Sequence, residues 1–196
     1  MKYIFSLFVS LICLSSMNAQ DEVLPLKQIP EYPETYTAGT VAARMVEALG
    51  FRYYWATEGL TEENLTYRPT KEARSLGETL DHLYGLSETI VNAPQRKPNI
   101  RPANWGEMTF KEKRQKTLEN LEQASKLLKE GKEGDMEEYA VIFQRGENSS
   151  EFPFWNMLNG PIADAIYHVG QIVTFRRTAG NPMNPKVNVF MGKTGE

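Results

Sequence analysis

Two histidines are all the chain has, and each stands near an acid in a segment of helical pattern: Asp81-His82, and Asp164 four residues before His168. Residues at i and i+4 share one face of a helix, with Cβ atoms about 5–6 Å apart. Asp164 and His168 therefore face the same way. A second helix delivering His82 to that face would complete a site of two imidazoles and one carboxylate, which suits a divalent metal.

Asp164 lies between Ile162, Ala163, Ala165 and Ile166, and a carboxylate buried there without a partner is costly. A divalent cation would compensate it, and so would an arginine or a protonated imidazole. An i, i+4 hydrogen bond between Asp164 and His168 is the plain structural alternative, and a lone histidine is more often a hydrogen-bonded core residue than a ligand. Glu78, one turn before His82, is a candidate general base acting through metal-bound water. Capping its own helix is the simpler role for it. Gln171, three residues after His168, is a second candidate catalytic group that could position a ligand or merely bond within the helices. Tyr53, Tyr54 and Trp55 could wall a pocket, although aromatics at this spacing are more often core. Arg176 and Arg177 could attract an anionic substrate, but the end of a helix explains them adequately. There is no Gly-rich phosphate loop, no serine nucleophile elbow and no cysteine pair.

The elements that must position these residues read as four long helices with hardly any strand signal. The first runs from Thr37 to about Leu60, with an apolar stripe of Val41, Met45, Leu49 and Tyr53. A connection at 61–70 leaves room for one short helical turn. Ser75 and Glu78 form a capping box that launches the second helix to about Asn92, where Pro94 stops it. Residues 94–108, with three prolines and Trp105, predict an irregular crossing. Thr109 and Glu112 form a second capping box, opening a polar helix to about Glu130. Residues 131–153 read as a long loop in which 139–144 could be extended. The last helix, Phe154 to about Arg177, is kinked or restarted at Pro161. An all-α, four-helix bundle over 37–182 is the expected architecture, with an extended leader at 20–36 and a tail at 183–196.

Lys2, the apolar stretch Ile4 to Leu14 and the small-residue site Met17-Asn18-Ala19 resemble a cleaved signal peptide over 1–19. The stretch is short of the ~20 residues that span a bilayer, and Cys13 lacks the small neighbour of a lipoprotein site. A periplasmic or secreted protein is expected, without stable membrane insertion after cleavage. The 196 residues contain one cysteine, Cys13, so cleavage leaves no disulfide and no thiolate ligand or nucleophile. Hydrophobic content of 41% with 24% charged residues suits one soluble domain. A net charge of −3 argues against nucleic acid as a partner. A small-molecule substrate fits better, and a homodimer through the first helix is an open alternative.

Three blocks carry a resemblance to a known family. Ser75-Leu76-Gly77-Glu78-Thr79-Leu80-Asp81-His82-Leu83 is similar to the second-helix signature of the DinB/YfiT-like family of metal-binding four-helix bundles. Asn159-Gly160-Pro161 through His168-Val169-Gly170-Gln171-Ile172 is similar to that family's last helix. Leu60-Thr61-Glu62-Glu63-Asn64-Leu65 through Arg68-Pro69 resembles its connection. The likeness covers roughly 37–180. Asp164 stands where the family commonly has the first histidine of a pair, so the resemblance implies His82, Asp164 and His168 as ligands. That set suits Zn²⁺, and with open positions Fe²⁺, Mn²⁺ or Ni²⁺. The implied activities are thiol-dependent transfer and metal-dependent hydrolysis, and export tilts the expectation toward a hydrolase over a transferase. A non-enzymatic bundle holding an apolar ligand near Tyr53, Trp55 and Leu83 is the alternative.

Overall fold

Thr37, Ser75 and Thr109 each start a long helix in the same way. Each hydroxyl accepts from the backbone N–H three residues on, at 3.1, 3.1 and 3.3 Å, and the side chain there accepts from the cap's own N–H in return. Two orphan donors are satisfied at each helix start. The computed structural model describes residues 23–132 and 134–195, so the signal peptide read at 1–19 lies outside the described residues.

Helix α1 spans Ala38–Thr57 and a short α2 spans Glu62–Leu65. Helix α3 runs Leu76–Asn92 and ends in a 3-10 turn at Ala93–Gln95. Strand β1 (Pro98–Ile100) precedes α4 (Phe110–Glu130), followed by a short α5 (Asp135–Glu138). Strands β2 (Ala140–Arg145) and β3 (Asn148–Pro153) come next. A short α6 (Trp155–Met157) passes through a π-helical turn at Leu158–Ile162 into α7, Ala163–Thr178. Strands β4 (Val187–Asn188) and β5 (Lys193–Thr194) close the chain as a small hairpin.

The four long helices form the expected bundle: α1 and α3 each pack against both α4 and α7. Phe51 and Tyr53 of α1, Leu83 and Ile90 of α3, Leu118 and Leu121 of α4, and Val169 and Ile172 of α7 are all buried. Fully burying each such aliphatic or aromatic side chain stabilises by about 1.5–3 kcal/mol. The stripe read on α1 needs correction. Val41 and Met45 are 52% and 44% exposed, whereas Ala42, Ala43 and Val46 are buried. Steps of four residues advance about 40° around a helix, so a long i, i+4 run drifts off the buried face.

The fold is not purely all-α, a second correction. β1 pairs parallel to β2, and β2 pairs antiparallel to β3 through a two-residue turn at Gly146-Glu147. Gly146 takes φ +57°, the left-handed conformation such hairpin turns require. The stretch read as a long loop is therefore mostly a hairpin. The 94–108 crossing is pinned rather than loose. Asn99, 3% exposed, accepts from Asn92 Nδ2 at 3.0 Å and donates to Ile142 O at 2.9 Å. Trp105 donates to Glu88 Oε2 at 2.6 Å, and its ring lies so close to α3 that a Cβ on Gly85 would sit 3.1 Å from it.

No helix among the described residues is long and apolar enough to cross a membrane.

Candidate metal centre

The last helix is bent just before it delivers its two site residues. Gly160 leaves helical geometry at φ −99°, ψ −105°, Pro161 supplies no N–H, and the chain takes one π turn before α7 begins. Such turns re-aim a helix and recur at functional sites. Asp164 then falls in the first turn of α7, where the helix dipole favours a carboxylate. His168 comes one turn later.

His82, Asp164 and His168 meet. Asp164 Oδ2 lies 3.0 Å from His82 Nε2, and its other oxygen lies 3.3 Å from His168 Nε2. One ligand atom from each of the three falls within 4.8 Å of the others. The two rings stand nearly perpendicular, at 89°, with centroids 4.7 Å apart. The site is open on one side: 42% of the Asp164 side chain and 33% of His82 are exposed, against 12% of His168.

Gln171 decides the chemistry of His168. Its Oε1 accepts from His168 Nδ1 at 2.7 Å, so the proton of the neutral ring sits on Nδ1 and the lone pair on Nε2. That lone pair faces a carboxylate oxygen, and two acceptors at 3.3 Å require a proton or a cation between them. A divalent cation and a protonated His168 both meet this requirement. A cation also accounts for His82, whose Nε2 converges on the same carboxylate. The donor set thus fits a divalent metal, with Gln171 in the orienting role that ligating histidines usually receive.

Glu78 is placed elsewhere. Its carboxylate takes a two-pronged bond from Arg68, at 2.5 and 2.8 Å, and accepts from the Ser75 N–H at 2.9 Å. Arg68 first, and then the Ser75 backbone, hold its pKa below the ordinary glutamate value, which suits a cap and not a proton acceptor. Asp81 turns to α4 and pairs with Lys113 at 2.6 Å.

Tyr53 is core, as its spacing favours, and burial pushes its hydroxyl up to about 12. The space among Tyr53, Leu83 and their neighbours amounts to about 10 Å³, room for roughly one water and not for an apolar ligand. Trp55 instead donates to Lys27 O at 3.0 Å, binding the leader to α1. Arg176, 2% exposed, reaches across to α1 and donates to Trp55 O and Ala56 O at 3.1 and 2.9 Å. It caps the end of α1, and that buried pairing accounts for its charge.

A pocket of about 380 Å³ adjoins His82, which stands in its wall together with Leu86, Arg101, Trp105, Phe143 and Pro161. Arg101 and Phe143 are residues that sequence reasoning passed over. They lie in segments read as a crossing and a loop, where no periodicity points to a site.

No family model matches the sequence, and no curated protein is similar to it in sequence. In three dimensions it is similar to the crystal structure of a DinB-like protein, YjoA, from Bacillus subtilis. The two superpose with a TM-score of 0.54 over 76% of this chain and 99% of that one, at 14% identity. The chain has the DinB-like fold. The likeness agrees with the family resemblance of the three sequence blocks. Within the DinB-like fold, His82, Asp164 and His168 form a group whose ligand atoms could hold a metal ion.

Proposed function

We propose that the protein holds one divalent metal ion on His82 Nε2, His168 Nε2 and the Asp164 carboxylate, and that it is a metal-dependent hydrolase. The observation that carries this is the arrangement of His168, with Nδ1 bound to Gln171 and Nε2 turned onto Asp164. When bound, such an ion supplies Lewis acidity and lowers the pKa of a coordinated water. The chain's own residues do the rest. Gln171 fixes the His168 tautomer, and the kink at Gly160-Pro161 aims α7 at α3. Asp164 offers its charge to both imidazoles from the exposed side of the site. Trp105 and Phe143 give the adjoining pocket part of its apolar wall.

Three protein ligands leave positions for water or substrate, so the same site would also serve group transfer. Export, as the leading apolar segment suggests, separates the site from cytosolic thiol co-substrates and favours hydrolysis. The test is metal content in protein purified without a histidine tag. Near one equivalent of metal in the wild type, lost in His82→Ala and in His168→Ala, is expected. Equal content in all three proteins rejects the site.

A further inference from the structure

The pocket beside His82 has a cation in a mostly apolar wall. Leu86, Trp105, Phe143 and Pro161 supply that wall, and Arg101 supplies the charge. Arg101 is held in place. Its backbone N–H donates to Gln144 O at 2.7 Å, its guanidinium lies 5.6 Å over the Phe143 ring, and Nη1 donates to Ile100 O at 3.1 Å. None of the ion pairs among the described residues includes it. A guanidinium carries five donors in a planar fork, and a carbonyl uses only one of them. A half-buried arginine outside every ion pair among the described residues, in the wall of a pocket shared with His82, has donors left for an anion.

We propose that this pocket binds a small carboxylate with a compact apolar body, its oxyanion on Arg101 and the remainder along Trp105 and Phe143 toward His82. The volume, about 380 Å³, lies at the small end of ligand pockets. One guanidinium balances one negative charge. A phosphate dianion would leave a second charge uncompensated against apolar walls, which is costly. Carboxylates of this kind that also carry a hydrolysable ester or amide bond are the substrate class of the metal site. Water adds to the acyl carbon and the alcohol or amine leaves, a turnover that rests on the metal-dependent reading above. The preference for the anion depends on Arg101 and not on the metal.

The test uses 3-phenylpropionate, its neutral amide 3-phenylpropionamide, and phenyl phosphate. Each is titrated by calorimetry into the wild type, Arg101→Met and Arg101→Lys, with and without chelator, and metal content is measured in parallel. The wild type is expected to prefer the carboxylate over both other probes. Arg101→Met should weaken carboxylate binding by about tenfold to a hundredfold, the loss of charge-assisted hydrogen bonds, and leave amide binding unchanged. Arg101→Lys should fall between, since it keeps the charge but loses the fork. The preference should survive chelation.

Equal binding of acid and amide to the wild type overturns the proposal, as does tighter binding of phenyl phosphate. So does a preference that persists in Arg101→Met or vanishes with chelator, because the anion would then sit elsewhere or on the metal. Absence of metal from the wild type, with the Arg101-dependent preference intact, fails the metal reading and leaves the anion site standing.

Discussion

His168 Nδ1 donates to Gln171 Oε1 over 2.7 Å, a bond within one turn of α7 that turns the opposite ring nitrogen toward Asp164. Gln171 is thus a positioning residue. Gln171→Ala should weaken metal binding by about tenfold to a hundredfold, the usual consequence of removing the partner of a ligating histidine. Gln171→Glu retains an acceptor at that place and should recover most of the affinity. Competition for metal against a chromophoric chelator reads both.

A metal that binds the folded chain and not the unfolded one stabilises it by mass action. Chelator should therefore lower the Tm of the wild type, and added Zn²⁺ should restore it. At a hundredfold excess over Kd the gain is about 2.7 kcal/mol. Asp164→Ala removes a ligand from all of this, so its Tm should be indifferent to chelator. A wild-type Tm equally indifferent would argue for an imidazolium–carboxylate pair instead.

Glu78 belongs to helix capping, and its lowered pKa makes that role pH-dependent. A carboxyl whose folded pKa lies below its unfolded value stabilises the fold above the ordinary glutamate range, about 4.3, and loses that contribution as pH falls through the lowered value. The Tm difference between wild type and Glu78→Gln should be present at neutral pH and shrink toward acid. Metal content should be the same in both, since the Glu78 carboxylate is bound to Arg68 and Ser75.

Helices α1 and α4 approach so closely that a Cβ on Gly39 would stand 2.3 Å from the Leu128 carbonyl oxygen. Gly39→Ala should cost about 1–3 kcal/mol in denaturant unfolding, the range for overpacked contacts. Gly170→Ala is the control. A Cβ there meets nothing within 4 Å, and the gain in helix propensity should stabilise by about 0.5–1 kcal/mol.

The helices and the triad were legible because their signals are local. Ser75 with Glu78 and Thr109 with Glu112 mark helix starts within four residues, and both boxes form. The pair of histidines on two predicted helices left few ways to assemble a site, and Asp164 at i−4 from His168 narrowed them further. The small sheet was hidden for the opposite reason. Every residue of β3 is exposed, so the strand has no apolar alternation, and β1 is three residues that pair with a strand some forty positions later. The role of Arg176 was equally hidden, because the carbonyls it caps lie 120 and 121 residues away. Whether Gln171 would face the histidine or the solvent depended on a side-chain rotamer that spacing does not specify.

Anomalous scattering from a crystal grown with Mn²⁺ or Zn²⁺ tests the central claim most directly. A metal held by the triad predicts one strong peak about 2.0–2.2 Å from His82 Nε2, His168 Nε2 and an Asp164 oxygen. No peak there, with His82 and Asp164 still in direct contact at 3.0 Å, would contradict it.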